Sequence, residues 1–175
     1  MKKNLLIVGA GSYGLVAKDI AENIGCFCRI AFVDDNKNDT SDGIDIIGKL
    51  SDVDNLIQDF SDIIVAIGNS RIRIDLIKKY SLSAKYNIAK LISPRAYVSP
   101  STQIGKGCII EPMVVVNAKC KIEDGCIISA GAVLNHDSTC CEGVHVDCNA
   151  TVDCYCEVPR LTKVKSGEVF SKIRL

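Results

Sequence analysis

The chain has 175 residues, with 21 Lys and Arg against 21 Asp and Glu, so its formal charge is zero. Apolar residues make up 47 %, enough for a packed core, which excludes a disordered linker; the balanced charge excludes a nucleic-acid partner held by phosphate neutralisation. No apolar run approaches the roughly 20 residues that span a bilayer, and residues 5–8 after Lys2 and Lys3 are too few for a secretion signal, so a cytoplasmic, reducing location without membrane contact is expected.

Residues 4–8 read as a strand that ends at Gly9-Ala10-Gly11-Ser12-Tyr13-Gly14. Leu15, Val16, Ile20 and Ile24 then fall at helical spacing, with Gly25 as a stop. Residues 29–33 form a second predicted strand, closed by Asp34-Asp35-Asn36. A short helix follows over 51–60, capped by Ser51 or Asp52. A third strand covers 63–67 and closes at Gly68-Asn69, a helix covers 70–80, and 86–92 is extended. Arg71, Arg73, Lys78 and Lys79 are expected on a solvated face of that helix. The alternation of strands and helices predicts a small parallel α/β sheet. Gly9, Gly11 and Gly14, with Asp34 twenty residues beyond Gly14, also satisfy the dinucleotide fingerprint, so an NAD site is one reading of this turn and a bare tight β-to-α turn is another.

From residue 92 the texture changes. An apolar residue recurs every six positions: Ile92, Val98, Ile104, Ile110, Val116, Ile122, Ile128, Leu134, Cys140, Val146, Val152, Val158 and Val164. Twelve of these thirteen are Ile, Leu or Val, too many for chance, and a mostly small residue sits four places after each. This is the hexapeptide repeat of a parallel β-helix, one short strand and one corner per six residues, with the apolar residue stacked inward and the small one filling the corner. Cys108, Cys120, Cys126 and Cys156 are thereby read as inward fillers. Three hexads per coil predict a little over four coils. Glu168 breaks the inward pattern and puts the end near residue 166, with residues 169–173 as a cap or edge strand. The ten cysteines contain no C-x-x-C pair: Cys26/Cys28 and Cys154/Cys156 are C-x-C and Cys140/Cys141 are adjacent, so free thiols and no metal are expected.

A Gly-rich α/β opening followed by hexapeptide repeats resembles the sugar acyltransferases that include bacterial sialic-acid O-acetyltransferases and bacillosamine-pathway sugar N-acetyltransferases. The resemblance covers essentially the whole chain. It implies a Rossmann-like α/β domain over residues 1–90 that binds a nucleotide sugar, and an all-β left-handed parallel β-helix over 91–175 that carries acyl transfer. It further implies a homotrimer, with acetyl-CoA as co-substrate in clefts between neighbouring helices.

The sharpest local match is Ile128-Ser-Ala-Gly-Ala-Val-Leu-Asn-His136-Asp137, followed by Gly143-Val-His145-Val. By that match His136 is the general base, Asp137 its partner, and His145 a neighbour of acetyl-CoA; the chain has no other histidine. The chemistry agrees. Acyl transfer from a thioester needs a proton removed from an attacking amine or hydroxyl, a neutral imidazole does this near neutral pH, and a carboxylate fixes its tautomer. Cys154 aligns with a family glycine whose backbone N–H faces the thioester oxygen. Asn117 matches an Asn near the acceptor. Where the family commonly has Pro-Gly-Ala, the chain has Cys148-Asn149-Ala150, and Asn tolerates the left-handed turn this needs. In the N-terminal domain Gly9, Gly11, Gly14, Asp34, Asp35, Gly68 and Asn69 match the family's nucleotide-sugar crevice, and Tyr13 stands where some members have a substrate-binding His. Val115 points outward and is a candidate for a subunit interface.

The expected function is transfer of an acyl group, acetyl first, to an amino or hydroxyl group of a nucleotide-linked sugar. The family's final coils and closing Gly-x-Pro-Ala segment have no counterpart here. That keeps open a non-catalytic, trimeric nucleotide-sugar-binding protein, beside the NAD-binding reading.

Overall fold

In the computed structural model, which describes residues 3–37, 45–83 and 85–171, the first apolar run forms β1 (Lys3–Val8), and its Leu5, Leu6, Ile7 and Val8 are fully buried. The chain continues through α1 (Ser12–Ile24), β2 (Phe27–Val33), β3 (Ile46–Gly48), a 3-10 turn (Leu50–Asn55), β4 (Asp62–Val65), α2 (Ser70–Ser83) and β5 (Asn87–Ile88). The strands pair in the order β3-β2-β1-β4-β5, and every pair is parallel. Burial on both faces explains why β1 and β4 read as continuous apolar runs rather than alternating ones. The sheet and its helices belong to one compact unit, Met1–Ala89.

Three local expectations change. β3 was not visible in the sequence, where three residues in a polar stretch give no pattern. The helix expected over 51–60 is only a 3-10 turn that stops at Asn55, and Asp52 caps it by accepting the Lys49 N–H at 2.8 Å. Arg73 is not on a solvated face: it is fully buried, whereas Arg71, Lys78 and Lys79 are exposed.

The second compact unit, Lys90–Leu175, is a solenoid of fourteen two-residue strands. One face stacks β7 (Tyr97–Val98), β10 (Val115–Val116), β13 (Val133–Leu134), β16 (Thr151–Val152) and β19 (Val169–Phe170). The second stacks β8 (Gln103–Ile104), β11 (Lys121–Ile122), β14 (Thr139–Cys140) and β17 (Glu157–Val158). The third stacks β6 (Leu91–Ile92), β9 (Ile109–Ile110), β12 (Ile127–Ile128), β15 (His145–Val146) and β18 (Lys163–Val164). All pairs are parallel, and partners lie eighteen residues apart, as Val133 and Thr151 do, which is three hexads to the coil. The second residue of each strand points inward. Ile110, Val116, Ile122, Ile128, Leu134, Cys140, Val146, Val152 and Val158 form one apolar column system, 0–1 % exposed.

Each corner repeats one backbone device. From Gly107 to Gly167 every sixth residue has a left-handed φ, between 56° and 73°. Six of these eleven are not glycine: Met113, Lys119, Asp137, Asn149, Tyr155 and Leu161. The N–H of this residue reaches back to the coil below, as Asn149 to the Ala130 carbonyl at 3.0 Å and Gly143 to the Asp124 carbonyl at 2.9 Å. The small inward residues do more than fill space. Thr102, Cys108, Cys120 and Cys126 donate from their side chains to the carbonyls of Asn117, Glu123, Asn135 and Cys141, fifteen residues on, at 3.0–3.2 Å. A thiol is thus a small filler that also satisfies a corner carbonyl, which alanine cannot do.

The solenoid runs past the expected end at residue 166. Glu168 does not face inward; it is exposed, and its Oε2 accepts the Lys165 N–H at 2.9 Å. β19 then pairs with β16 as a further rung. The remainder of the expected tail, Lys172 and Ile173, lies outside the described residues.

Candidate active site

His136 and Asp137 form the corner after β13. The chain leaves the stacked strand at Leu134, so the next residues are free of the inward–outward alternation. Asp137 takes the left-handed position, φ 58°, and its backbone N–H donates to the Ala118 carbonyl at 3.0 Å. That geometry turns its carboxylate back toward its neighbour: Asp137 Oδ2 lies 2.9 Å from His136 Nδ1. With the Nδ1 proton donated to the carboxylate, the imidazole keeps its lone pair on Nε2. The His136 side chain is about half exposed (50 %), so that nitrogen is reachable from solvent. The sequence did not fix where this ring points; the corner backbone does.

One coil on, Cys154 and Tyr155 occupy the same corner. The rings of His136 and Tyr155 meet edge-on, 5.3 Å between centroids and 87° between planes. At the other two corner columns a carboxylate caps four of the equivalent backbone N–H groups: Ala130 by Glu111, Glu142 by Glu123, Lys106 by Asp124 and Cys148 by Asp147. In the column of Ala118, His136 and Cys154 no carboxylate caps this N–H among the described residues. The Ala118, His136 and Cys154 amides differ from those four in carrying no carboxylate, an arrangement that leaves room for an anionic oxygen.

His145 stands in β15, on the third face. Its Nε2 is 3.1 Å from Ser129 Oγ and 3.9 Å from Asp147 Oδ1, and its side chain is 13 % exposed. Lys163 Nζ holds Asp147 at 2.8 Å; burial works against ionisation of that carboxyl, but the Lys163 hydrogen bond is the larger effect and keeps its pKa below the usual value. Asn117 lies one coil before Asn135, the residue preceding His136, and the two side chains meet at 3.4 Å.

In the N-terminal unit a cavity of about 510 Å³ opens at the carboxyl ends of the central strands, beside α1. Gly9, Gly11, Tyr13, Asp34, Asp35 and Gly68 line it, as the sequence suggested; Ser12, Asn36, Leu50, Ala66, Ile67 and Ile72 also line it and carried no sequence signal. Gly14 and Asn69 do not. The glycines act for different reasons. Gly9 needs its φ of 104°, and a Cβ on Gly14 would stand 2.1 Å from the Gly9 carbonyl oxygen. Gly11 precedes the first turn of α1 with open space around it. The cavity thus sits at a helix N-terminus with bare backbone, the setting that receives phosphate groups.

The acidic residues hold the rim. Asp34 Oδ2 accepts the Ala10 N–H at 2.7 Å, and its Oδ1 accepts those of Asn36 and Lys37 at 2.8 and 3.1 Å. Burial raises the Asp34 pKa, yet these three donors together outweigh it and the net shift is downward. Asp35 Oδ1 accepts the Leu50 N–H at 2.9 Å. Asn69 Oδ1 caps α2 through the Ile72 N–H at 3.1 Å. The buried Arg73 binds the carbonyls of Ile67 and Gly68 at 2.8 and 3.1 Å and Ser70 Oγ at 3.2 Å, so it fastens the loop that forms one wall.

Among the described residues no helix is long and apolar enough to cross a membrane, and no three His, Cys, Asp or Glu side chains cluster as metal ligands would. Residues 4–80 match the family model for the PglD N-terminal domain, and residues 101–136 match that for six bacterial transferase hexapeptide repeats. The fold is similar to the acetyltransferase domain of PglB from Neisseria gonorrhoeae FA1090, at 30 % identity and a TM-score of 0.89, covering 95 % of this chain and 82 % of that one. It is equally similar to the same domain in complex with acetyl coenzyme A, at 30 % identity and a TM-score of 0.90, covering 97 % and 82 %. A mutant of GDP-perosamine N-acetyl transferase from Caulobacter crescentus, in complex with CoA and GDP-perosamine, matches at 25 % identity and a TM-score of 0.84, covering 97 % and 89 %. A comparison with curated protein sequences gives no match.

Proposed function

The chain belongs to the hexapeptide-repeat sugar acetyltransferases that carry a PglD-type N-terminal domain on a left-handed parallel β-helix, and from that premise we propose that it moves the acetyl group of acetyl-CoA onto an amino group of a nucleotide-linked sugar. The observation that carries this reading is the His136–Asp137 pair on an exposed corner.

The acceptor nitrogen attacks the thioester carbonyl carbon, His136 Nε2 takes the proton from that nitrogen, and Asp137 stabilises the imidazolium through Nδ1. The Cys154 N–H stabilises the oxyanion. The carbon–sulfur bond then breaks, an amide forms, and the CoA thiolate leaves and is reprotonated. His145 assists on the acetyl-CoA side and Asn117 on the acceptor side. The N-terminal domain, residues 1–90, holds the nucleotide over Gly9, Gly11 and Tyr13, with diphosphate at the α1 N-terminus. Asp34 and Asp35 shape that crevice from its rim. This also weakens the NAD reading, because three backbone N–H groups already occupy most of the acceptor sites on the carboxylate that would take a ribose hydroxyl pair. A homotrimer is supported by the face of β7 to β19, which leaves Tyr97 and Val169 exposed with Val115 half-buried between them.

The test is calorimetric binding of acetyl-CoA, followed by turnover with a panel of amino-sugar nucleotides for wild type and His136→Ala. Loss of about 10²–10⁴ in kcat with acetyl-CoA binding retained is expected. Undiminished turnover in the variant overturns the mechanism, and absence of acetyl-CoA binding favours the binding-protein alternative.

A further inference from the structure

Tyr155 takes the left-handed corner position one coil beyond Asp137, with φ 60°. That backbone is disfavoured for a bulky aromatic residue, and five of the eleven equivalent corners use glycine. The fold gains little core from it: Tyr155 is 57 % exposed. What the position does achieve is contact with His136. The two rings meet edge-on at 5.3 Å, and the Tyr155 N–H reaches the His136 carbonyl at 3.4 Å. Met113 and Leu161 keep the same backbone at other corners, so what singles out Tyr155 is its ring contact with the one solvent-facing imidazole.

The hydrogen bond to Asp137 fixes only one point of the imidazole, leaving the ring free to swing about it. A second contact is needed to set the ring plane. We propose that Tyr155 is a positioning residue for the general base: its ring, edge-on to the imidazole, sets the ring plane and with it the aim of Nε2 at the acceptor. This rests on the acetyltransfer reading of His136.

The experiment compares wild type, Tyr155→Gly and Tyr155→Phe. Glycine relieves the left-handed strain, so the thermal midpoint of Tyr155→Gly stays level or rises, while kcat falls about tenfold from lost alignment and KM for acetyl-CoA moves less than about twofold. Tyr155→Phe keeps the ring and keeps kcat. NMR supplies a readout independent of turnover. With only two histidines in the chain, the ring protons of His136 are readily assigned, and their ring-current displacement disappears in Tyr155→Gly and survives in Tyr155→Phe. A folded Tyr155→Gly with unchanged kcat, or unchanged His136 ring shifts, overturns the proposal. If wild type transfers no acetyl group to any acceptor, the general-base reading fails and the proposal with it, while the NMR comparison still registers the ring contact, so the two failures are told apart.

Discussion

The two units solve the problem of placing a site in opposite ways. In the N-terminal sheet the residues around the cavity are the ones that hold the backbone together. Asp34 binds three N–H groups, Arg73 fastens the Ile67–Gly68 loop, and Gly9 makes the turn into α1 with its φ of 104°. In the solenoid the two tasks are separated. The fold is carried by the inward columns, and the proposed chemistry sits on a corner where Leu134 and Ser138 are buried while His136 between them is exposed. A substitution near the cavity should therefore disturb folding and binding together, whereas one at the corner can remove activity and leave folding alone.

The largest expected contrast is internal to the corner. His136→Ala should lower turnover by about 10²–10⁴ while changing stability by less than about 0.5 kcal/mol, as for other exposed positions. Leu134→Ala, two residues earlier and 0 % exposed, should lose about 2–5 kcal/mol in urea denaturation through the cavity it leaves. Similar stability losses in the two variants would dissolve the separation. Tyr155→Gly, which should cost rate without costing stability, is the same contrast at smaller scale.

The smallest effect concerns the rim. Asp34→Ala leaves three backbone donors without their acceptor and should cost about 1–3 kcal/mol, together with weaker nucleotide-sugar binding. The pH dependence follows from the lowered pKa of Asp34. A carboxyl whose folded pKa is depressed contributes stability above its unfolded value of about 3.8, and that contribution is lost as pH falls through the folded value. Acid titration of stability should thus be steeper in wild type than in Asp34→Ala. A loss of binding with no change in stability would show that Asp34 belongs to the ligand rather than to the loop.

How much of this was legible in the sequence follows the same division. The hexads could be read because one side chain in six is fixed by an inward column, so a single period gives strand, corner and coil together. The corner backbone could not: Met113, Tyr155 and Leu161 adopt a left-handed conformation that their own propensities oppose, imposed by the coil below through its carbonyls. Arg73 looked like one more surface cation because helix spacing says nothing of the loop carbonyls that the start of α2 meets. The sequence places the end near residue 166 because Glu168 puts a polar residue in an inward column; in the structure it turns outward and ties its own corner. The His136–Asp137 pair was legible as a pair of residue types; its exposure and its aromatic neighbour depend on the neighbouring coils, which no local pattern shows.

The inward cysteines carry a last consequence. Cys108, Cys120, Cys126, Cys140 and Cys156 are 0–1 % exposed and distributed over successive coils, and burial drives the thiols of Cys126 and Cys140 well above their usual pKa. Alkylating reagents attack the thiolate, so each of these sulfurs is inert while its coil is closed. Reaction at one of them records an opening event at a known rung, and the set divides the solenoid into separately timed segments. The protein carries, as part of its packing, a row of chemical stopwatches for the fraying of its own repeat.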